Sequence, residues 1–318
     1  MSVRAALLRL GAAIMLSTFG ASCAQQDTAG TVIRLGYLQN DLHHLPAFVA
    51  IEKNFFSDAG VAVRVAGVFK AGPELMSAFG ARELDLGYVG QAPATAAVLN
   101  NVADVKFIAQ VNREGSSIVV GRDSRAASFA DLSGTSVAIP GHATMQDFLL
   151  RRAAARAGLP FDKLRIIVLK PPEMLQALSL RQIDAFIAWE PYPAQAAVSG
   201  VGKTLLASRD IWPHHPCCVL VASAALCRER PDTIQKIQAA HRRACAFISE
   251  HFEESVAIGV RATGMPRDTV AAGMHAIDYH AGLDREQAGE FVAFLKDLRY
   301  IQSRAPERRT DDFFHDPQ

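Results

Sequence analysis

PPEMLQALSLRQIDAFIAWEPYPA, Pro171 to Ala194, decides how the chain is read, because the chain says nearly the same thing once before. Gly72 to Ala94 reads GPELMSAFGARELDLGYVGQAPA. An offset of 99 positions superposes Pro73 on Pro172, Glu74 on Glu173, Ala78 on Ala177, Arg82 on Arg181 and Asp85 on Asp184. Each copy reads as a proline-started helix, a charged turn, a short apolar strand and a proline-containing loop. Two copies are too few for a solenoid. They predict two similar lobes facing each other, with the loops after Val89 and Ala188 gripping whatever lies between.

The same grammar extends outward from both copies. Ile33 to Leu38 reads as a buried strand, and QNDLHH leads into a helix that closes at Gly60. VAVRVAGV is a second strand, Leu86 to Val89 a third and VKFIAQV a fourth, and this β-α-β order predicts a parallel sheet covered by helices. Ser116 to Asp123 is a strand that leaves the first lobe. SVAIP, LRIIVLK, Ala185 to Ala188 and KTLLAS then repeat the pattern. PHHPCCVLVAS, Pro213 to Ser223, is a turn and an apolar strand expected to pair with Ser116 to Gly121, the two crossing strands forming a hinge. Helices are expected from Pro231 to Phe252, Glu254 to Ala262, Arg267 to His275 and Asp284 to Leu298. The charged tail from Ser303 is expected to fray. The fold class is therefore α/β, each lobe a mixed, mainly parallel sheet flanked by helices. Residues 30–115 with 222–318 form lobe 1 and residues 122–212 form lobe 2. The hinges lie near 116–121 and 213–221.

Half of the 318 residues are hydrophobic and a fifth are charged, an ordinary globular composition with material for two cores. Residues 1–24 are of another kind. Arg4 and Arg9 precede or border an apolar run, Leu10 to Phe19, and small residues follow up to Cys23. This is a secretory signal peptide, too short and wrongly flanked for a membrane span. Two endings stand side by side. Gly20, Ala21 and Ser22 before Cys23 resemble a bacterial lipoprotein box, with Gly20 where leucine is usual, which makes Cys23 the lipidated first residue. Cleavage after Ala24 is the other. Both export the chain to the periplasm or the outer face of the cytoplasmic membrane, and a lipid on Cys23 is the only membrane association expected. Without residues 1–24, 31 basic residues face 32 acidic ones, and no basic stripe invites nucleic acid. Cys217, Cys218, Cys227 and Cys245 then sit where disulfides can form, but their spacing makes no recognisable disulfide framework.

Four blocks carry a family resemblance: LGYLQNDLHHLPAFVAIEKNFF, GPELMSAFGARELDLGYVGQAPA, FADLSGTSVAIPGHATM and IDAFIAWEPYPAQA. In order and spacing they resemble the solute-binding proteins of bacterial ABC importers, in the nitrate, sulfonate, taurine and thiamine-precursor branch, over almost the whole mature chain. The resemblance implies the two-lobed periplasmic-binding fold with two hinge strands (type II). It implies capture of a sulfonate, nitrate, taurine-like or related organic solute between the lobes. Delivery would be to a membrane permease with a cytoplasmic ATPase. The motif GxxxxGK[ST] is absent here, as expected if energy coupling lies in a partner.

Ligands in open parallel sheets bind beyond the carboxyl ends of the strands. That rule selects Gln39, Asn40, Asp41, His43 and His44 after the first strand, and Phe69 and Lys70 after the second. Gly90, Gln91 and Ala92 follow the third. The second lobe offers Gly141, His142, Ala143 and Thr144, then Trp189 and Glu190, and the crossover adds Asn112, Arg113, Glu114 and Gly115. Gly90 to Pro93 and Gly141 to Thr144 precede helices and read as anion receptors with free backbone N–H groups. Trp189 covers the apolar part of a solute or only packs between lobes. Asp41, Glu114 and Glu190 oppose an anion unless Lys70, Arg113 or a protonated histidine neutralises them. A zwitterion, a cation-bearing organic or a metal meets them more easily. His43 and His44 are adjacent, so their side chains diverge and one at most faces the ligand.

HHPCC places His214, His215, Cys217 and Cys218 together, and these residue types suit zinc or copper. The spacing lacks two separated pairs, and strand alternation sends Cys217 and Cys218 to opposite sides. Buried thiols are the expectation, with no metal ligand and no cofactor assigned; a strained vicinal disulfide is the alternative. His241 and Cys245, four apart on an apolar face, read as core. Two other functions remain open. One is a thiamine-pyrimidine protein, echoed by the cysteine pair and scattered histidines but opposed by the export signal. The other is a metal receptor using His43 or His44, His142 and HHPCC. No nucleophile–base set is readable and GxSxG is absent, so a non-enzymatic receptor is expected.

Overall fold

The computed structural model of the chain describes residues 32–301 and 310–315. The signal peptide, Cys23 and residues 302–309 of the tail lie outside the described residues. In the first half come β1 (Ile33–Leu38), α1 (Leu45–Glu52), α2 (Phe55–Asp58), β2 (Val63–Phe69), α3 (Gly72–Gly80), β3 (Leu86–Gly90), α4 (Gln91–Leu99) and β4 (Val105–Glu114). Then come β5 (Ser116–Gly121), β6 (Ser136–Ile139), α5 (Met145–Arg156), β7 (Arg165–Val168), α6 (Pro171–Ser179), β8 (Ala185–Trp189), α7 (Tyr192–Val198) and β9 (Gly202–Ala207). The chain returns through α8 (Ser208–Ile211) and β10 (Pro216–Ser223) to α9 (Ala224–Glu229), α10 (Pro231–Glu250), α11 (Phe252–Thr263) and α12 (Arg267–His275). It ends in β11 (Ile277–Tyr279), α13 (Arg285–Asp297) and a short 3₁₀ turn, Thr310–Phe313.

Two sheets result. The first has the order β11-β4-β10-β3-β1-β2 and the second β7-β6-β8-β5-β9. The repeat is visible in their cores: β1 lies parallel between β2 and β3, and β6 lies parallel between β7 and β8. The 99-residue offset carries α3 onto α6 and β3 onto β8. Arg82 and Arg181 both take the left-handed conformation, at φ 59° and 56°, where each helix turns into its strand. Asp85 accepts a hydrogen bond from the backbone N–H of Arg34 at 2.9 Å, and Asp184 from that of Ser136 at 2.8 Å. The same carboxylate thus ties the same strand to its neighbour in both sheets.

Both sheets are mixed, and less parallel than the pattern suggests. Each has two parallel pairings; β10 and β11 add antiparallel ones to the first sheet, and β5 does so in the second. The expected pairing of the two crossing strands is not what forms. β5 lies between β8 and β9, and β10 lies between β3 and β4. Each strand finds an all-apolar slot in one sheet, since Ile118, Val119 and Val120 are fully buried in one and Val219, Leu220 and Val221 in the other. The chain crosses from the first sheet to the second at Gly115, and back between Ala207 and Pro216. Gly115 has φ +83°, and a Cβ there would stand 2.4 Å from His43 Nε2, so the crossing needs glycine on both counts.

Two further departures concern the C-terminal part. Phe291 and Phe294 of α13 pack on Phe148 of α5 with ring centroids 5.0 and 4.3 Å apart, so this helix touches the second sheet's layer as well as the first's. Residues 310–315 of the tail are docked where fraying was expected. Phe313 is fully buried and stacked on Phe107 of β4, and Phe314 meets the same ring edge-on. Burial of two aromatic rings outweighs the charge around them.

Candidate functional site

Beyond the carboxyl ends of β1, β3, β6 and β8, loops from both sheets converge on one small cleft. The first sheet supplies Leu38, Asp41, His43, Gly72, Gly90, Pro93, Cys217 and Cys218, and the second Thr144, Met145, Gln146 and Trp189. Its volume is about 20 Å³, room for one water or one ion. Two larger hollows, about 560 and 640 Å³, lie at the opposite ends of the strands. Their linings correspond across the repeat, with Arg82, Leu84 and Asp85 in one and Arg181, Ile183 and Asp184 in the other. They are features of the duplicated architecture, whereas the cleft is where the two copies differ.

A 3₁₀ turn, Leu42–His44, sets the first wall. Asp41 caps it, its carboxylate accepting from His43 N–H at 2.9 Å. The two histidines that follow point different ways. His43 Nε2 donates to Gly115 O at 2.7 Å, which leaves Nδ1 facing the cysteines. His44 Nδ1 accepts from Leu38 N–H at 3.1 Å, so its Nε2 carries the proton and lies 3.7 Å from Asp41.

The opposite wall is β10, and its alternation is broken. Between Pro216 and Cys218 it takes two steps while β4 takes one, leaving Cys217 as an extra residue, a β-bulge. Asn112 holds the bulge by accepting from Cys218 N–H at 3.2 Å, and Gln110 donates to Cys218 O at 2.7 Å. Cys217 and Cys218 therefore do not diverge as strand geometry predicts. Their sulfurs lie 3.9 Å apart and 3.4 and 3.6 Å from His43 Nδ1. Both are free thiols. The remainder of HHPCC turns away: His214 points to Glu114, while His215 is buried and stacked on Trp212.

The charges of this wall are coupled. Burial pushes Asp41 up to about 7, against the pull of His43. Burial by itself lowers His43, but the Cys217 thiolate and Asp41 outweigh it and carry the imidazole up to about 9. Cys217, accepting from Cys218 and facing His43, falls well below the usual thiol range, and burial drives Cys218 well above it. His44 is kept neutral by burial and by its charged neighbour.

The other residues singled out in the sequence scatter. Gln39 and Lys70 are exposed, and neither they nor the left-handed Asn40 line the cleft. Gln91 and Ala92 are buried in the first turn of α4, the Gln91 amide without a partner among the described residues. Glu114 sits at the crossing, accepting from His214 N–H. His142 is exposed beside Tyr300. The N-terminus of α5 is not a free anion receptor, because Asp147 accepts from Ala143 N–H and Thr144 caps the helix. Tyr300 donates to the same carboxylate at 2.9 Å. Trp189 lines the cleft, its indole N–H without a partner among the described residues. Glu190 is buried behind it, accepting from Ala194 N–H, and burial raises it to about 7. Met145 and Gln146 were missed, being uncharged residues that open α5 rather than lying in the loop before it.

Solved structures with this fold include a ligand-binding component of an ABC-type import system from Staphylococcus aureus, determined with zinc bound. It superposes with a TM-score of 0.77 at 21% identity, covering 90% of this chain and 96% of that one. The alkanesulfonate-binding protein of Xanthomonas axonopodis, bound to MOPS, gives 0.76 at 19% identity, covering 86% and 95%. In sequence, an Escherichia coli protein named for binding aliphatic sulfonates is 25% identical over 269 residues, 83% of this chain and 81% of its own. A Brucella abortus protein named only as a binding protein is 29% identical over 229 residues, 71% of this chain and 70% of its own. With the family's model matching residues 27–260, the duplicated sheets and the loops converging between them are those of the NMT1-like family, to which this chain belongs.

Proposed function

We propose that the chain is the extracytoplasmic receptor of an ABC importer: it holds a small solute in the cleft between its sheets and hands it to a permease whose partner ATPase drives uptake. The observation that carries this is the convergence of four strand ends, two from each sheet, on a single small cleft. Chain crossings at Gly115 and at Ala207–Pro216 let the sheets part for loading. A cross-cleft ion pair, Lys170 Nζ to Glu74 Oε1 at 2.7 Å, joins the two repeated helices at the rim. The role proposed is that of a binder, in line with the relatives named for binding. Relatives named for sulfonate or nitrate binding recognise oxyanions. This cleft carries Asp41 and two thiols, and no lysine or arginine lines it, which favours a solute that brings positive charge.

The reading is tested by reconstituting a candidate permease and its ATPase from the same organism in lipid nanodiscs. Receptor loaded from a panel of sulfonates, nitrate, taurine, pyrimidines and metal ions should raise ATP hydrolysis several-fold, and its true solute should raise its melting temperature. A hundredfold excess over Kd corresponds to about 2.7 kcal/mol. No stimulation by any loaded form overturns the reading. Anchoring through Cys23 is part of the proposal, and Cys23→Ala should release the protein from membranes.

A further inference from the structure

His43, Cys217 and Cys218 form a triangle of donor atoms with edges of 3.4, 3.6 and 3.9 Å. In a tetrahedral zinc site with metal–sulfur bonds near 2.3 Å and metal–nitrogen bonds near 2.05 Å, the sulfur–sulfur edge is about 3.8 Å and the sulfur–nitrogen edge about 3.6 Å. The geometry points to a thiophilic metal ion, of the Zn²⁺ or Cu⁺ class, held by His43 Nδ1, Cys217 Sγ and Cys218 Sγ.

Four independent features agree. The β-bulge at Cys217 brings two consecutive sulfurs to one side, which an unbroken strand cannot do. Gly115 O accepts the Nε2–H of His43, so the nitrogen left for a metal is Nδ1, which faces the sulfurs, the arrangement by which metal-binding histidines are oriented. The cleft has space for an ion and not for an organic solute in this closed form. Met145 of α5, which carries a soft thioether, lines the same cleft. His44, although near Asp41 and Cys218, is excluded: its Nδ1 lone pair is occupied by Leu38 N–H and its Nε2 bears the proton. Binding forms two metal–sulfur bonds and one metal–nitrogen bond and sends two protons to solvent, those of Nδ1 and of the Cys218 thiol, with no electron transferred. That the ion is the cargo rests on the receptor reading above; that it binds does not.

The test uses the mature, reduced protein stripped of metal and titrated with Zn²⁺ and Cu⁺ against chromophoric chelators. Co²⁺ substitution reports thiolate ligation through its sulfur-to-metal absorption. One equivalent of Zn²⁺ or Cu⁺ should bind, and the Co²⁺ form should show the band of two thiolates. His43→Gln and the double variant Cys217→Ser, Cys218→Ser should each weaken binding by ~100-fold or more. Cys227→Ser, outside the cleft, should not. Absence of stoichiometric binding, affinity unchanged in the folded double variant, or a Co²⁺ spectrum without thiolate absorption overturns the site. Because the Co²⁺ spectrum is read on the unaltered chain, a variant that fails to fold leaves the test standing. Stimulation of the permease ATPase by an organic solute in a chain that binds no metal overturns this inference alone. Tight metal binding with no stimulation by any loaded form supports the site and overturns the receptor reading.

Discussion

Gly115 O and His43 Nε2 lie 2.7 Å apart, so the residue at which the chain passes from one sheet to the other also orients the imidazole of the cleft. The same carbonyl accepts from Glu190 N–H at 2.9 Å, joining the first strand's loop, the crossing and the end of β8 at one atom. Movement of the sheets and the aim of His43 are thereby linked.

Gly115→Ala should be destabilising beyond an ordinary surface change. Alanine at φ +83° is strained, and its Cβ would collide with His43 Nε2 and Ile277. The two effects together should cost roughly 2–4 kcal/mol. Urea denaturation measures this, and a loss under 1 kcal/mol would contradict the geometry.

Asp85→Ala and Asp184→Ala should behave as equivalent lesions. Each removes the acceptor of a strand N–H, and Asp85 also loses its paired bonds to the Arg34 guanidinium, at 2.8 and 2.9 Å. Each should lower stability by roughly 1–3 kcal/mol, Asp85 the more. The carboxylates share no partner, so the double variant should lose about the sum. Chemical denaturation of the three variants checks both statements.

Glu190 and His241 should act on stability in opposite senses over the same span, about pH 4 to 7. Burial raises Glu190 from 4.5 to about 7, so its contribution is complete below the unfolded value and is lost as pH rises through 7. Burial lowers His241 from 6.5 to about 4, so its contribution is complete above 6.5 and is lost as pH falls towards 4. Each shift corresponds to roughly 3 kcal/mol. Glu190→Gln keeps an acceptor for Ala194 N–H and should unmask a rise in stability from pH 4 to 6.5 that belongs to His241. His241→Gln should unmask a fall from pH 4.5 to 7 that belongs to Glu190. Melting curves from pH 4 to 9 decide, and the same pH profile in both variants as in the parent would reject the assignment.

Phe313→Ala should destabilise the chain although it lies only five residues from the end of the 318-residue sequence. Its ring is fully buried against Phe107. Loss of that burial should cost about 1.5–3 kcal/mol. Proteolysis of the tail should accelerate in step, and an unchanged melting temperature would mean that the tail is not docked.

Much of the architecture was legible because it rests on local periodicity repeated twice. Proline at the start of α3 and α6, arginine at the left-handed turn and aspartate before the strand each act within a few residues, so the 99-residue offset survives in the fold. Strand pairing was less legible. β5 and β10 are both continuous apolar runs, and nothing within either says which sheet it enters. The docked tail was hidden for a similar reason, since two phenylalanines in a charged segment become core only when Phe107 is brought to them.

The candidate site divides along the same line. By itself the sequence determined that loops beyond the strand ends, Asp41 and His43 among them, would face a cleft, because that follows from repeated strand–helix order. It determined that histidines and cysteines of the right kind were present. Only the tertiary structure decided which of them meet. A bulge, held by Asn112 from a strand more than 100 residues earlier, turns Cys217 and Cys218 to one side, and Gly115 aims His43 at them. Side-chain direction on a strand follows sequence only while the ladder stays in register, and at Cys217 a long-range pairing breaks that register.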